Sequence, residues 1–72
     1  MENVLEIVAS VMRKDKAFLK ENLDTENLWN SLTKVEIILS IEEECDILFE
    51  QEEVKEITTL RKLLEVVEAK EA

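Results

Sequence analysis

Apolar positions along the chain recur mostly at the three-and-four spacing that puts side chains on one face of a helix. Val4, Leu5, Val8, Val11 and Met12 do so with Glu2, Glu6 and Arg13 on other faces, which predicts a first helix over about residues 2–14. From Asp15 to Asn30 the pattern loosens, and Phe18, Leu19, Leu23, Leu28 and Trp29 are scattered among Lys, Glu, Asp, Asn and Thr. That stretch reads as a long connection pinned to the core by its apolar residues, with Trp29 as an anchor against the bundle. Asn30 is a favoured N-cap type; beyond it Leu32, Val35, Ile38 and Leu39 mark one stripe and Ile37 and Ile41 an adjacent one, predicting a helix from about Ser31 to Cys45. Leu48, Phe49, Val54 and Ile57 then sit around a cluster of acids, enough for a loop and a short third helix. Thr58 and Thr59 can cap a last helix whose stripe is Leu60, Leu63, Leu64 and Val67, with Arg61, Lys62 and Glu65 outside it, fraying near Ala69.

No segment alternates with a period of two, so the predicted fold is an all-α four-helix bundle: three longer helices, one short one and a long first loop. Seventy-two residues suit one domain, residues 1–72, and there is no internal repeat. A core of that size supplies only about 3–5 kcal/mol of net stability. The single cysteine, Cys45, has no partner for an intramolecular disulfide and is expected to be buried as a small apolar residue. One unpaired thiol, with Glu2 and Glu6 where a signal peptide needs an uninterrupted apolar run, leads us to expect a cytoplasmic protein. No stretch is long and apolar enough to insert in a membrane.

Charge narrows the function. Eighteen acids against nine bases give a net charge of -9, which repels a nucleic-acid backbone and selects basic partners. Histidine is absent, and with it the commonest general base and metal ligand at neutral pH, so neither catalysis nor a metal site is expected. From Leu32 to Glu56 nine acids stand against Lys34 and Lys55, a net of -7, so most of the excess lies in one third of the chain. A charge run is usually a solvated face, and dense acids also suit a weak divalent-ion site, although an EF-hand loop needs a glycine that this chain lacks. Steered encounter with basic partners explains the clustering better, because it raises association rates while leaving complexes short-lived.

From Asn30 the chain reads N-S-L-T-K-V-E-I-I-L-S-I-E-E-E-C-D-I, then E-E-V-K-E-I-T-T-L-R-K-L-L. In this it resembles the acyl carrier proteins, whose signature is D-S-L followed by an amphipathic acidic helix with V-E and E-E-E, then E-E and I-T-T after a short loop. The likeness runs without a gap from Ser31 to about Leu64. It implies a free-standing, monomeric carrier in which the Ser31 hydroxyl receives 4'-phosphopantetheine from coenzyme A, delivered by a separate phosphopantetheinyl transferase. The thiol of that arm holds an acyl group as a thioester for the enzymes of fatty-acid or polyketide-type synthesis. Independently, a phosphodiester on the first turn of a helix sits beside unpaired backbone N–H groups and the positive end of the helix dipole.

By the same resemblance Asn30, Leu32, Glu36, Ile37, Glu42, Glu43 and Glu44 form the face that docks on basic patches of acyl-transferring or condensing enzymes. Leu32 and Ile37 are its apolar contacts. Val35, Leu39, Ile41, Phe49, Val54, Ile57 and Leu63 are expected to line the interior that opens around the acyl chain. The match departs from the family where Asn30 replaces the aspartate before the serine, Leu28 replaces a glycine, Trp29 stands where small or aliphatic residues are common and Cys45 replaces a phenylalanine. These departures suggest a carrier dedicated to one pathway. Two alternatives stay open: an unmodified acidic interaction module binding a basic partner, and an aminoacyl or peptidyl carrier, against which the acidic run after Leu39 argues.

Overall fold

A computed structural model describes residues 2–71. Among them it places five helices and no strand: α1 (Glu2–Met12), α2 (Lys16–Glu21), α3 (Ser31–Cys45), α4 (Gln51–Glu56) and α5 (Leu60–Glu71). The Cα radius of gyration is 10.9 Å, close to the ~11 Å of a folded chain of this length.

α1 ends two residues earlier than its apolar periodicity suggests, and the backbone explains why. Arg13 takes the left-handed conformation at φ 58°; its N–H donates to the Ser10 carbonyl at 3.3 Å and the Lys14 N–H to the Ala9 carbonyl at 3.0 Å. That pair of bonds is the Schellman closure, made here by a residue with a side chain where glycine is usual.

The long first connection contains a helix that the expected fold omits. Asp15 caps α2 by accepting the Phe18 N–H at 2.9 Å, and Asn22 ends it by donating its side-chain amide to the Phe18 carbonyl at 2.8 Å. Leu19, fully buried, is the one residue α2 gives to the core. The rest of the connection is fastened to the start of α5: Asn27 N–H donates to the Thr58 carbonyl and Arg61 N–H to the Leu23 carbonyl, both at 3.0 Å. Asn27 reaches this place at φ 54°, a conformation that asparagine tolerates better than most residues. Trp29 is buried, as an anchor should be.

The core gathers Val4, Leu5 and Val8 of α1, Leu19, Trp29, Ile37, Ile38 and Ile41 of α3, Ile57, and Leu60, Leu63 and Val67 of α5. α1 packs on α3 and α2, and α5 is capped by Thr59, whose hydroxyl accepts the Lys62 N–H at 3.1 Å. No helix among the described residues is long and apolar enough to cross a membrane.

Candidate functional site

Asn30 fixes where α3 begins. Its backbone is extended at φ -83°, ψ 174°, its side-chain oxygen accepts the Thr33 N–H at 2.8 Å, and its carbonyl accepts the Lys34 N–H at 2.9 Å. Ser31 is therefore the first helical residue, and it is exposed. The cap bond takes the Thr33 amide and leaves those of Ser31 and Leu32 outside it, at the positive end of a helix of 15 residues. Lys34 lies one turn on, half-buried, and burial holds its ammonium below the ordinary lysine value. A phosphodiester on the Ser31 oxygen fits this setting: the hydroxyl faces solvent, two amides and a lysine supply positive potential, and no carboxylate lies between residues 30 and 35.

The two faces of α3 are not divided as expected. Ile37, expected as an outward contact, is 1% exposed and packs in the core with Ile38 and Ile41. Val35 and Leu39, expected to line the interior, are 50% and 54% exposed. At 100° per residue, Ile37, Ile38 and Ile41 share one arc, while Leu32, Val35 and Leu39 lie opposite with Glu36 and Glu43 beside them. A helix with apolar residues on both sides leaves its buried face to be chosen by its neighbours. Here the neighbours select the three isoleucines, each β-branched, and leave the leucines and Val35 in water.

The acids also differ in what they do. Glu36, Glu43 and Glu44 are exposed, but Glu42 is half-buried and accepts the Phe49 N–H at 2.9 Å, which shapes the loop after α3 rather than facing a partner. Leu48, 78% exposed in that loop, is an outward apolar residue that periodicity did not single out, because it lies outside any helix. Among the described residues no three of Asp, Glu, Cys and His converge as a metal would require.

Of the seven residues expected around an acyl chain, Ile41, Ile57 and Leu63 are fully buried, Phe49 and Val54 are half-buried against the core, and Val35 and Leu39 are outside. A cleft of about 350 Å³ lies elsewhere, between α1 and α3, lined by Ile7, Ser10, Val11, Ser40, Glu44 and Cys45 among others, and none of the seven borders it. Cys45 is half-buried, less than its apolar role suggests. Burial, and then the Glu71 carboxylate, push its thiol above the ordinary value, which disfavours the thiolate. No protein-family model matches the chain and no curated protein matches it in sequence, which leaves the motif that starts at Ser31, and its geometry, as the ground for a function.

Proposed function

We propose that this chain is an acyl carrier whose 4'-phosphopantetheine arm is attached at Ser31, in a bundle of the acyl-carrier type. The observation that carries the reading is an exposed serine at the first helical position of α3, heading an exposed stripe of Leu32, Val35 and Leu39 flanked by Glu36 and Glu43. In loading, the Ser31 oxygen attacks the phosphorus of coenzyme A that bears the pantetheine. The P–O bond to the adenosine phosphate breaks, and the serine proton passes to a base on the transferase. When bound, the arm supplies a thiol that carries the acyl group as a thioester. The chain's own residues present the hydroxyl, hold the phosphodiester charge near the Ser31 and Leu32 amides, and offer partners an apolar strip bordered by carboxylates. Partners are enzymes with basic patches surrounding an apolar contact, and the encounter is brief because the charges are solvated.

One observation favours an unmodified interaction module: Asn30, whose side-chain oxygen is committed to the Thr33 amide and which has no carboxylate to offer a transferase or its metal. Intact mass after incubation with coenzyme A and a broad-specificity phosphopantetheinyl transferase separates the two. A gain of one phosphopantetheine that disappears in Ser31→Ala supports the carrier. No gain, with a transferase from the same genome also inactive on the chain, supports the module.

A further inference from the structure

Ile41 and Ile57 are both fully buried, yet every residue between them is half-buried or exposed. It is the longest such run in the described chain, and its second part, residues 46–56, holds the loop after α3 and all of α4. A segment with so little burial has little hydrophobic reason to stay closed, and segments of this kind open locally at lower free energy than the whole fold. Ile47, Phe49 and Val54 touch the core with partly buried side chains. The segment begins at Asp46, held in the left-handed conformation at φ 55°, and ends against the fully buried Ile57.

Beyond those three side chains, what ties the segment down is polar. Glu42 accepts the Phe49 N–H at 2.9 Å from the α3 side. From the other side Lys70, in the last turn of α5, reaches Glu53 Oε1 at 2.8 Å and lies 5.8 Å from the centre of the Phe49 ring. The same Glu53 oxygen accepts the Glu50 N–H at 2.8 Å, closing the N-terminus of α4. One ammonium thus joins the loop, the start of α4 and a helix that is itself anchored by Leu60, Leu63 and Val67. Both members of the pair are partly sheltered, Lys70 at 22% and Glu53 at 31% exposure, which screens them less than an open surface pair.

We propose that residues 46–56 form a lid that opens from the bundle as one unit, with Lys70 as its latch. Lid and latch depend on these contacts alone; only what an open lid admits rests on the carrier reading above.

Hydrogen exchange of individual amides, followed on the full chain at fixed pH, tests it. The reporters are the amides of Phe49 and Val54, which are hydrogen-bonded within the segment's own ties, against those of Val8 and Ile38 in the core helices. Lys70→Met keeps the stem and removes the charge; Glu53→Gln keeps an oxygen for the Glu50 amide and removes the charge. Each is expected to speed exchange at Phe49 and Val54 about three- to fivefold, the scale of a partly sheltered ion pair, with Val8 and Ile38 unchanged. The double variant is expected to add nothing to either single change, and Lys70→Arg to exchange as the unaltered chain does. Equal acceleration at all four amides, or none at Phe49 and Val54, overturns the proposal. No cargo or cofactor enters the measurement, so its failure leaves the carrier reading where it stood.

Discussion

Asp24 and Arg61 meet in a two-point ion pair across 37 positions of sequence, Nε to Oδ1 at 2.6 Å and Nη2 to Oδ2 at 3.0 Å. Together with the backbone bonds from Asn27 and Arg61 it fastens the first connection to the start of α5, and so sets the place from which Asn30 starts α3. The hydrogen bonds from Arg61 hold the Asp24 carboxyl below its ordinary value of 3.8; burial opposes this and the guanidinium charge adds to it. A carboxyl with a lowered folded value binds fewer protons folded than unfolded. Its contribution is therefore full above the unfolded value and disappears as pH falls through the folded one. The stability difference between the unaltered chain and Asp24→Asn, measured by urea denaturation, is expected to be constant above about pH 5 and to close on the acid side, below 3.8. Added salt is expected to narrow it, since both side chains are exposed. A difference that persists undiminished to roughly pH 3 contradicts the ion-pair account.

The α1 terminus makes a second prediction. Arg13 sits at φ 58° in a position whose two backbone bonds need no side chain. A residue with a Cβ is less comfortable there than glycine, by about 1–2 kcal/mol, while glycine loses more freedom on folding. Arg13→Gly is therefore expected to stabilise the chain by about 0.5–1 kcal/mol in urea denaturation. Arg13→Ala, which keeps the Cβ, gains nothing; a stabilised alanine variant would trace the effect to the lost charge instead.

Much of this fold is legible in the residues. Asn30 and Thr59 are capping types standing where α3 and α5 begin, and the α3 boundaries follow from a cap and an unbroken apolar pattern. α2 escaped because six residues with one buried side chain give periodicity nothing to detect, although Asp15 and Asn22 mark its ends. The inward face of α3 is decided by tertiary packing, since its sequence carries apolar residues on both sides. The Lys70–Glu53 and Asp24–Arg61 pairs join distant segments and leave no local signal at all. Ser31 is legible as a candidate because it begins a helix after a cap and heads a specific run of residues, both properties of adjacent sequence.

That division of α3 into two faces gives the sharpest contrast between folding and binding. Ile37 is enclosed and Leu39 is half in water, two residues apart on one helix. Ile37→Ala removes buried methyl groups and leaves a cavity, so it is expected to cost about 2–5 kcal/mol. A domain of this size has only about 3–5 kcal/mol to lose, and circular dichroism should find much of that variant unfolded at room temperature. Leu39→Ala alters a largely hydrated side chain and is expected to stay within about 0.5 kcal/mol of the unaltered chain. If Leu32, Val35 and Leu39 are the strip that partners touch, Leu39→Ala should instead weaken binding to an enzyme with a basic patch, chiefly by speeding dissociation. Glu36→Gln beside it should slow association and flatten its dependence on salt. Reversed roles, with Leu39→Ala unfolding the chain and Ile37→Ala tolerated, would mean that α3 is turned about its axis by half a revolution from the packing described here.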